Sequence, residues 1–189
     1  YILTRMEEGM DFETALAQAQ RLGFAEKNHI LDTGGFDTRD KLIILSAEAF
    51  NAHVLTSHIQ PTGITGITPE HIDLAREGGY SIKLVASAQR QGDLLRVSVN
   101  PTLVSKDHEL ARARNELNAI TLVPQGSEPR TLHGRGAGRD ATTIAVMRDI
   151  LRAAENKRRE IVDPLPTLDA EVEIVDFSSN PVFELITAD

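Results

Sequence analysis

Glu26, Asp32, Asp37 and Lys41, four of the charged residues in the short stretch Gly23 to Leu45, GFAEKNHILDTGGFDTRDKLIIL, have types that could do chemistry. Glu26, Asp32 and Asp37 bring three carboxylates, and Lys41 brings an amine four residues after the last of them. On a helix, positions i and i+4 share a face, so Asp37 and Lys41 would stand one above the other. A carboxylate at a helix N-terminus is favoured by the dipole and can cap free amides. The apolar run Leu42-Ile43-Ile44-Leu45 follows at once and predicts a helix over Thr38–Phe50 that is buried nearly all round. A lysine at the mouth of such a helix is partly desolvated, and desolvation lowers a lysine pKa toward the range useful for proton transfer. The same spacing also describes a surface ion pair worth about 0.3–0.5 kcal/mol. Glu26, His29 and Asp32 are spaced like metal ligands, which leaves a metal-dependent hydrolase as a further reading.

The elements that must hold these groups follow from punctuation and periodicity. Residues 1–8 read as a helix stopped by Gly9. Asp11 and Thr14 open a second helix whose apolar stripe is Phe12, Ala15, Leu16, Ala19 and Leu22, with Gly23 as its C-cap. Residues 53–61 read as an extended connection. Thr68 and Pro69 are an N-cap and an N1 proline, and Gly78-Gly79 ends the helix they start. The period then changes to two. Strands are predicted at 80–90, 93–101, 118–124 and 129–135, with a turn at Gln91-Gly92-Asp93 and a short helix at 106–114. A helix is expected from about Ala141 to 158. The fold class is therefore α+β, a mixed or mostly antiparallel sheet with helices packed on one face.

A chain of 189 residues, 41% of them hydrophobic, can bury a substantial core, and it suggests one domain with an appendage. The expected division is a body over 1–158 and an acidic, proline-punctuated arm over 159–189 with a strand near 171–176. A net charge of -8 and a pI near 5.3 argue against nucleic acid or an acidic membrane as partner. There is no cysteine, hence no disulfide and no thiolate metal site. Without an apolar run of about 18 residues or a signal-peptide pattern, the expectation is a soluble, cytoplasmic protein. Tyr1-Ile2-Leu3 reads as mid-helix with no initiator Met, which suggests an excised fragment.

The central stretch resembles the substrate-binding segment of homoserine dehydrogenases. The shared pattern is G-[YF]-A-E, an Asp six residues on, G-x-D eleven residues after the Glu, and a Lys four later; it falls on Glu26, Asp32, Asp37 and Lys41. TGITGITPEHIDLAREGGYSIKL resembles a further family stretch. YILTRMEEGMDFETALAQAQRLGFAE resembles its paired helices, and NPTLVSKDHELA with GRGAG at 134–138 resembles its C-terminal catalytic half. The resemblance covers roughly residues 1–152. The chain departs from the family at Phe24, where Tyr is common, at Asn28-His29, where many relatives have Asp-Pro, and at Asp140-Ala141-Thr142-Thr143, where Pro-Thr is usual.

The resemblance implies an oxidoreductase of threonine and methionine biosynthesis that interconverts L-homoserine and L-aspartate 4-semialdehyde with NAD or NADP. It implies that Lys41 is catalytic, that Glu26, Asp32 and Asp37 hold the ammonium group of an amino-acid substrate, and that Gly136, Ala137 and Gly138 touch the cofactor. The strand–GxGxxG–helix unit that binds most of such a cofactor is not in this sequence, so the fragment alone is expected to be inactive. A homodimer is implied as well. The competing class is a non-catalytic oligomerisation module or a silent relative of the same family.

Overall fold

A hairpin of twelve paired positions forms the spine of the computed structural model, which describes residues 1–161, 168, 172–178 and 184–187. Strands β1 (Tyr80–Gln91) and β2 (Leu94–Ser105) run antiparallel. The loop between them has only two residues, and Gly92 takes φ 62° at the first of them, where a type II′ turn requires glycine. Side chains alternate along both strands. Leu95, Val97 and Val99 of β2 share a face with Ile82, Leu84, Ala86 and Ala88 of β1. The opposite face of β2 carries Ser98, Asn100 and Thr102, polar yet buried.

The second edge of β2 is also occupied. Strand β5 (Glu173–Asp176) pairs parallel with Leu94–Val97, and β6 (Glu184–Ile186) pairs parallel with Thr102–Val104. The mixed sheet expected from sequence is thus formed, with the arm contributing to it. Strands β3 (Leu117–Leu122) and β4 (Arg130–Arg135) are a difference. They make a separate two-stranded ribbon rather than joining the main sheet, and Ile120, Leu122 and Leu132 of the ribbon remain exposed.

The helices that precede β1 pack on its apolar face, whereas the helix that follows β4 buries none of its residues. Helices α1 (Ile2–Glu7) and α2 (Phe12–Leu22) bury Leu3, Met6, Leu16 and Ala19 against Ile82 and Ile64. Asp11 caps α2 by accepting from Thr14 N at 2.9 Å, and Gly23 closes it at φ 75°. Helix α3 (Ile30–Thr33) and helix α4 (Phe36–Phe50) follow. Helix α5 (Pro69–Glu77), opened by Thr68, adds Ile72 and Ala75 to the same core. A second core gathers Leu42 of α4 with Val54, Ile59, Leu95, Val97 and Val99, and Leu84 touches both cores. The connection over 53–61 contains one 3-10 turn, Thr56–His58, and the short helix expected at 106–114 is a 3-10 segment, Glu109–Arg112. Helix α6 (Arg139–Arg158) begins two residues earlier than expected. Among the described residues no helix is long and apolar enough to cross a membrane.

Two features of this packing can be measured. A Cβ on Gly63 would lie 2.2 Å from Thr33 O and 2.6 Å from Gly34 Cα, so backbone rests on backbone there. Gly66, three residues on, is exposed with open space around it. Gly63→Ala should therefore destabilise by about 2–3 kcal/mol in urea unfolding, while Gly66→Ala should stay within about 0.5 kcal/mol of the parent. Near α1, Lys83 Nζ donates to Ala113 O at 3.0 Å. Burial holds its pKa below the ordinary 10.5, with Glu7 opposing that shift and Arg114 adding to it. The unfolded chain then binds the Lys83 proton more tightly than the folded one, so this group's contribution to stability rises with pH up to about 10.5. The stability of the parent relative to Lys83→Met should accordingly increase between neutral pH and pH ~9.5, read by urea midpoints of both proteins.

Candidate active site

The stretch of charges begins where α2 ends. After Gly23 the chain turns back on the helix, with Phe24 N donating to Ala19 O at 2.9 Å and the Phe24 ring 5.1 Å from that of Tyr1. Gln20 Nε2 donates to Glu26 O at 2.9 Å and so fixes the loop from the helix side. Glu26 N in turn donates to the Asp32 carboxylate at 3.1 Å. His29 is engaged locally: its Nδ1 lies 3.0 Å from Thr33 Oγ1, which also donates to His29 O at 2.9 Å. Among the described residues no three His, Asp or Glu side chains are gathered where they could hold a metal ion.

Helix α4 starts at Phe36, after Gly35 at φ 82°, with no side-chain cap. Asp37 thus lies inside the first turn rather than capping it, and it forms an ion pair with Lys41 one turn on. The expected buried helix is not what forms. Only Leu42 and Ser46 are fully buried, Ile43 and Phe50 are half-buried against the core, and Ile44 is 64% exposed and Leu45 41%. Four consecutive apolar residues wrap a full turn, and a helix lying on one sheet face can bury only the i, i+4 stripe. The desolvation expected for Lys41 is absent for the same reason, since its side chain is 52% exposed. Of the four charged residues, Asp37 and Lys41 form an ion pair, while the Asp32 carboxylate is held by the Glu26 backbone amide rather than by a charge.

The glycine-rich loop comes to the same neighbourhood. A cleft of about 880 Å³ is lined by Gly23 and Phe24 on one side and by Ala137, Gly138 and the first turn of α6 on the other. Gly138 is the N-cap of α6 at φ 108°, and a Cβ there would be 3.8 Å from the Phe24 ring. Gly136 differs from its two neighbours. It packs on Asn118, into whose side chain a Cβ would run at 2.0 Å, and its amide donates to Glu116 O at 2.9 Å. Arg135 and Glu116 line the cleft too, 3.9 Å apart. The loop, the start of the charged stretch and a helix N-terminus thus face one opening.

A sequence profile of the family described as homoserine dehydrogenase matches residues 1–151. The chain belongs to the homoserine dehydrogenase family. It is 36% identical to the homoserine dehydrogenase of Bacillus subtilis (strain 168), with 84% of this chain matching 37% of that protein. It is 34% identical to the NAD(+)-dependent homoserine dehydrogenase of Pseudomonas canavaninivorans, 85% of this chain matching 46% of that one. The chain therefore spans less than half the length of these curated relatives. The solved homoserine dehydrogenase of Thiobacillus denitrificans superposes with a TM-score of 0.82 at 31% identity, over 93% of this chain and 42% of that one.

Within this chain, sequence spacing found the charged groups but missed Gln20, whose amide fixes the Glu26 carbonyl, and the glycine contact at Gly63. A polar residue on the last turn of a capped helix was the available signal for the first. The second, a non-local contact, had none. The packing of Gly136 yields a test. Gly136→Ala should stay within about 0.5 kcal/mol of the parent in thermal unfolding, because the clash is with the end of one exposed side chain, Asn118, which can swing aside.

Proposed function

We propose that this chain is the substrate-binding and catalytic portion of an enzyme interconverting L-homoserine and L-aspartate 4-semialdehyde, on the route to threonine and methionine. The observation carrying this reading is the pairing of Asp37 with Lys41 on one exposed face of α4, in a chain of this family. Carboxylates suit the ammonium group of an amino acid. Glu26, Asp32 and Asp37 take that role. Lys41, kept on its helix face by Asp37, gives a proton to the substrate's terminal oxygen in aldehyde reduction and accepts it in alcohol oxidation.

The residues present fit a nicotinamide dinucleotide at the rim of the site rather than in full. The backbone of Ala137 and Gly138, at the start of α6, borders the open cleft, and a helix N-terminus favours anions. Gly136 contributes by letting the loop close on Asn118. The cofactor, when bound, supplies hydride transfer at the carbon next to the oxygen served by Lys41. NAD and NADP both stand as cofactors, one relative being NAD(+)-dependent and one solved homoserine dehydrogenase being in complex with NADPH. The unit over 1–158 acts as a homodimer in the cytoplasm, with 159–189 as its arm.

The test is turnover of L-homoserine with NAD and NADP by the full natural protein, beside Lys41→Ala. The expected outcome is homoserine-dependent cofactor reduction that falls about 10²–10⁴-fold in the variant, the range for loss of a positioned proton-transfer group. A Lys41→Ala protein that turns over like the parent would remove Lys41 from the chemistry.

A further inference from the structure

We infer that Asp176 and Ser178, at the end of β5 in the arm, are positioning residues for the substrate-binding carboxylates Asp32 and Asp37; this rests on the role proposed above for those two residues. The two stretches are more than a hundred residues apart in sequence, and hydrogen bonds on the β2 edge join them.

Along that edge the bonding partner changes from the arm to a loop. Phe177 N donates to Val97 O at 2.8 Å, continuing the β5 ladder. One step on, Val99 N donates to the hydroxyl of Ser178 at 2.9 Å rather than to a strand carbonyl. Val99 O then accepts from Thr62 N at 2.8 Å. Ser178 is 1% exposed, so its hydroxyl is committed to this bond. The arm holds the loop at two further points. One oxygen of Asp176 accepts from Gln60 N at 2.7 Å while the other accepts from Ser178 N at 2.7 Å, and Thr62 Oγ1 donates to Ser178 O at 3.1 Å.

What the loop does next gives the arm its role. Gly63 rests on the Thr33–Gly34 backbone, and Ile64 N donates to Thr33 O at 2.8 Å. Pro61 closes on Gly35, 3.2 Å from where a Cβ would stand. Thr33 follows Asp32 directly, and Gly35 sets the start of α4 two residues before Asp37. The loop therefore fixes the corner between the two acidic elements, and the arm fixes the loop. Neither Asp176 nor Ser178 touches the candidate site, so their effect would pass through residues 60–64.

The experiment uses the full natural protein with Asp176→Ala, Asp176→Asn, Ser178→Ala and, as a control in the same arm, Arg96→Ala. Arg96 stacks on the Phe177 ring at 4.0 Å. Two readings are taken: steady-state constants for both substrates, and amide hydrogen exchange at Ile64 and Arg39. Asp176→Ala and Ser178→Ala should raise the homoserine KM about tenfold, the size expected for a lost hydrogen bond to a charged or buried group, and speed exchange at Ile64 and Arg39. The nucleotide KM should stay within about twofold, Asp176→Asn, which keeps an acceptor oxygen, should fall between, and Arg96→Ala should match the parent. Equal changes in both KM values, or unchanged exchange at Ile64 and Arg39, would overturn the inference. If the parent protein does not turn over homoserine, the proposed activity fails, and exchange at the two amides alone decides whether the arm positions the acidic corner.

Discussion

Two backbones touch where Gly63 crosses the Thr33–Gly34 peptide, and the candidate site takes its geometry from that contact. Close approach of main chain to main chain needs glycine, because any Cβ would occupy the space of a carbonyl oxygen or an α-carbon. Here the contact is reinforced by a hydrogen bond from Ile64 N to Thr33 O. It converts a flexible Thr-Gly-Gly corner into a fixed angle between α3 and α4. Asp32 lies on one side of that angle and the Asp37–Lys41 pair on the other. An acidic set built across such a corner can be held without burying any of its charges, which avoids the cost of removing carboxylates and an ammonium from water.

The rest of the body serves that corner through β2. One edge pairs with β1, the other with β5 and β6, and its apolar face anchors Leu42 of α4. Both cores lie on one face of the hairpin and share Leu84, so α1, α2, α4 and α5 are referred to a single rigid surface. Close-packed interiors transmit displacement rather than absorb it. The Lys41 side stays open because α4 gives the sheet only a narrow stripe. An open site of this kind leaves the exclusion of water to whatever covers it.

Local signals in the sequence carried most of the elements. Asp11, Gly23, Thr68, Pro69 and Gly92 act through their own backbone conformations or nearest amides, so their meaning is visible within a few residues. The charged stretch was legible as a pattern for a similar reason, since Asp37 and Lys41 meet at the spacing of one helical turn. What could not be read was set by distant partners. The LIIL run predicts a buried helix, yet how much of it is covered depends on the width of the sheet beneath. The ribbon of β3 and β4 alternates like any hairpin, and nothing local says that it stays apart from the main sheet. Gly63 looks like turn punctuation, but its neighbour lies some thirty residues earlier in the chain. Ser178 is one of several small polar residues in the arm and is distinguished only by Val99 beneath it.

The bond between Gln60 and Asp176 spans 116 residues, and this separation bears on the order in which the molecule takes shape. During synthesis the helices and the β1–β2 hairpin are complete long before residue 176 leaves the ribosome. Contacts between neighbours in sequence form early, whereas closing so long a loop has its entropic cost charged before any bond repays it. The acidic corner would thus exist first as a loosely held hinge, with the edge of β2 at Val97–Val99 still bare. Arrival of the arm covers that edge and sets the hinge in one late event. A ribosome-bound chain stalled before the arm would carry a folded hydrophobic body but an unset site.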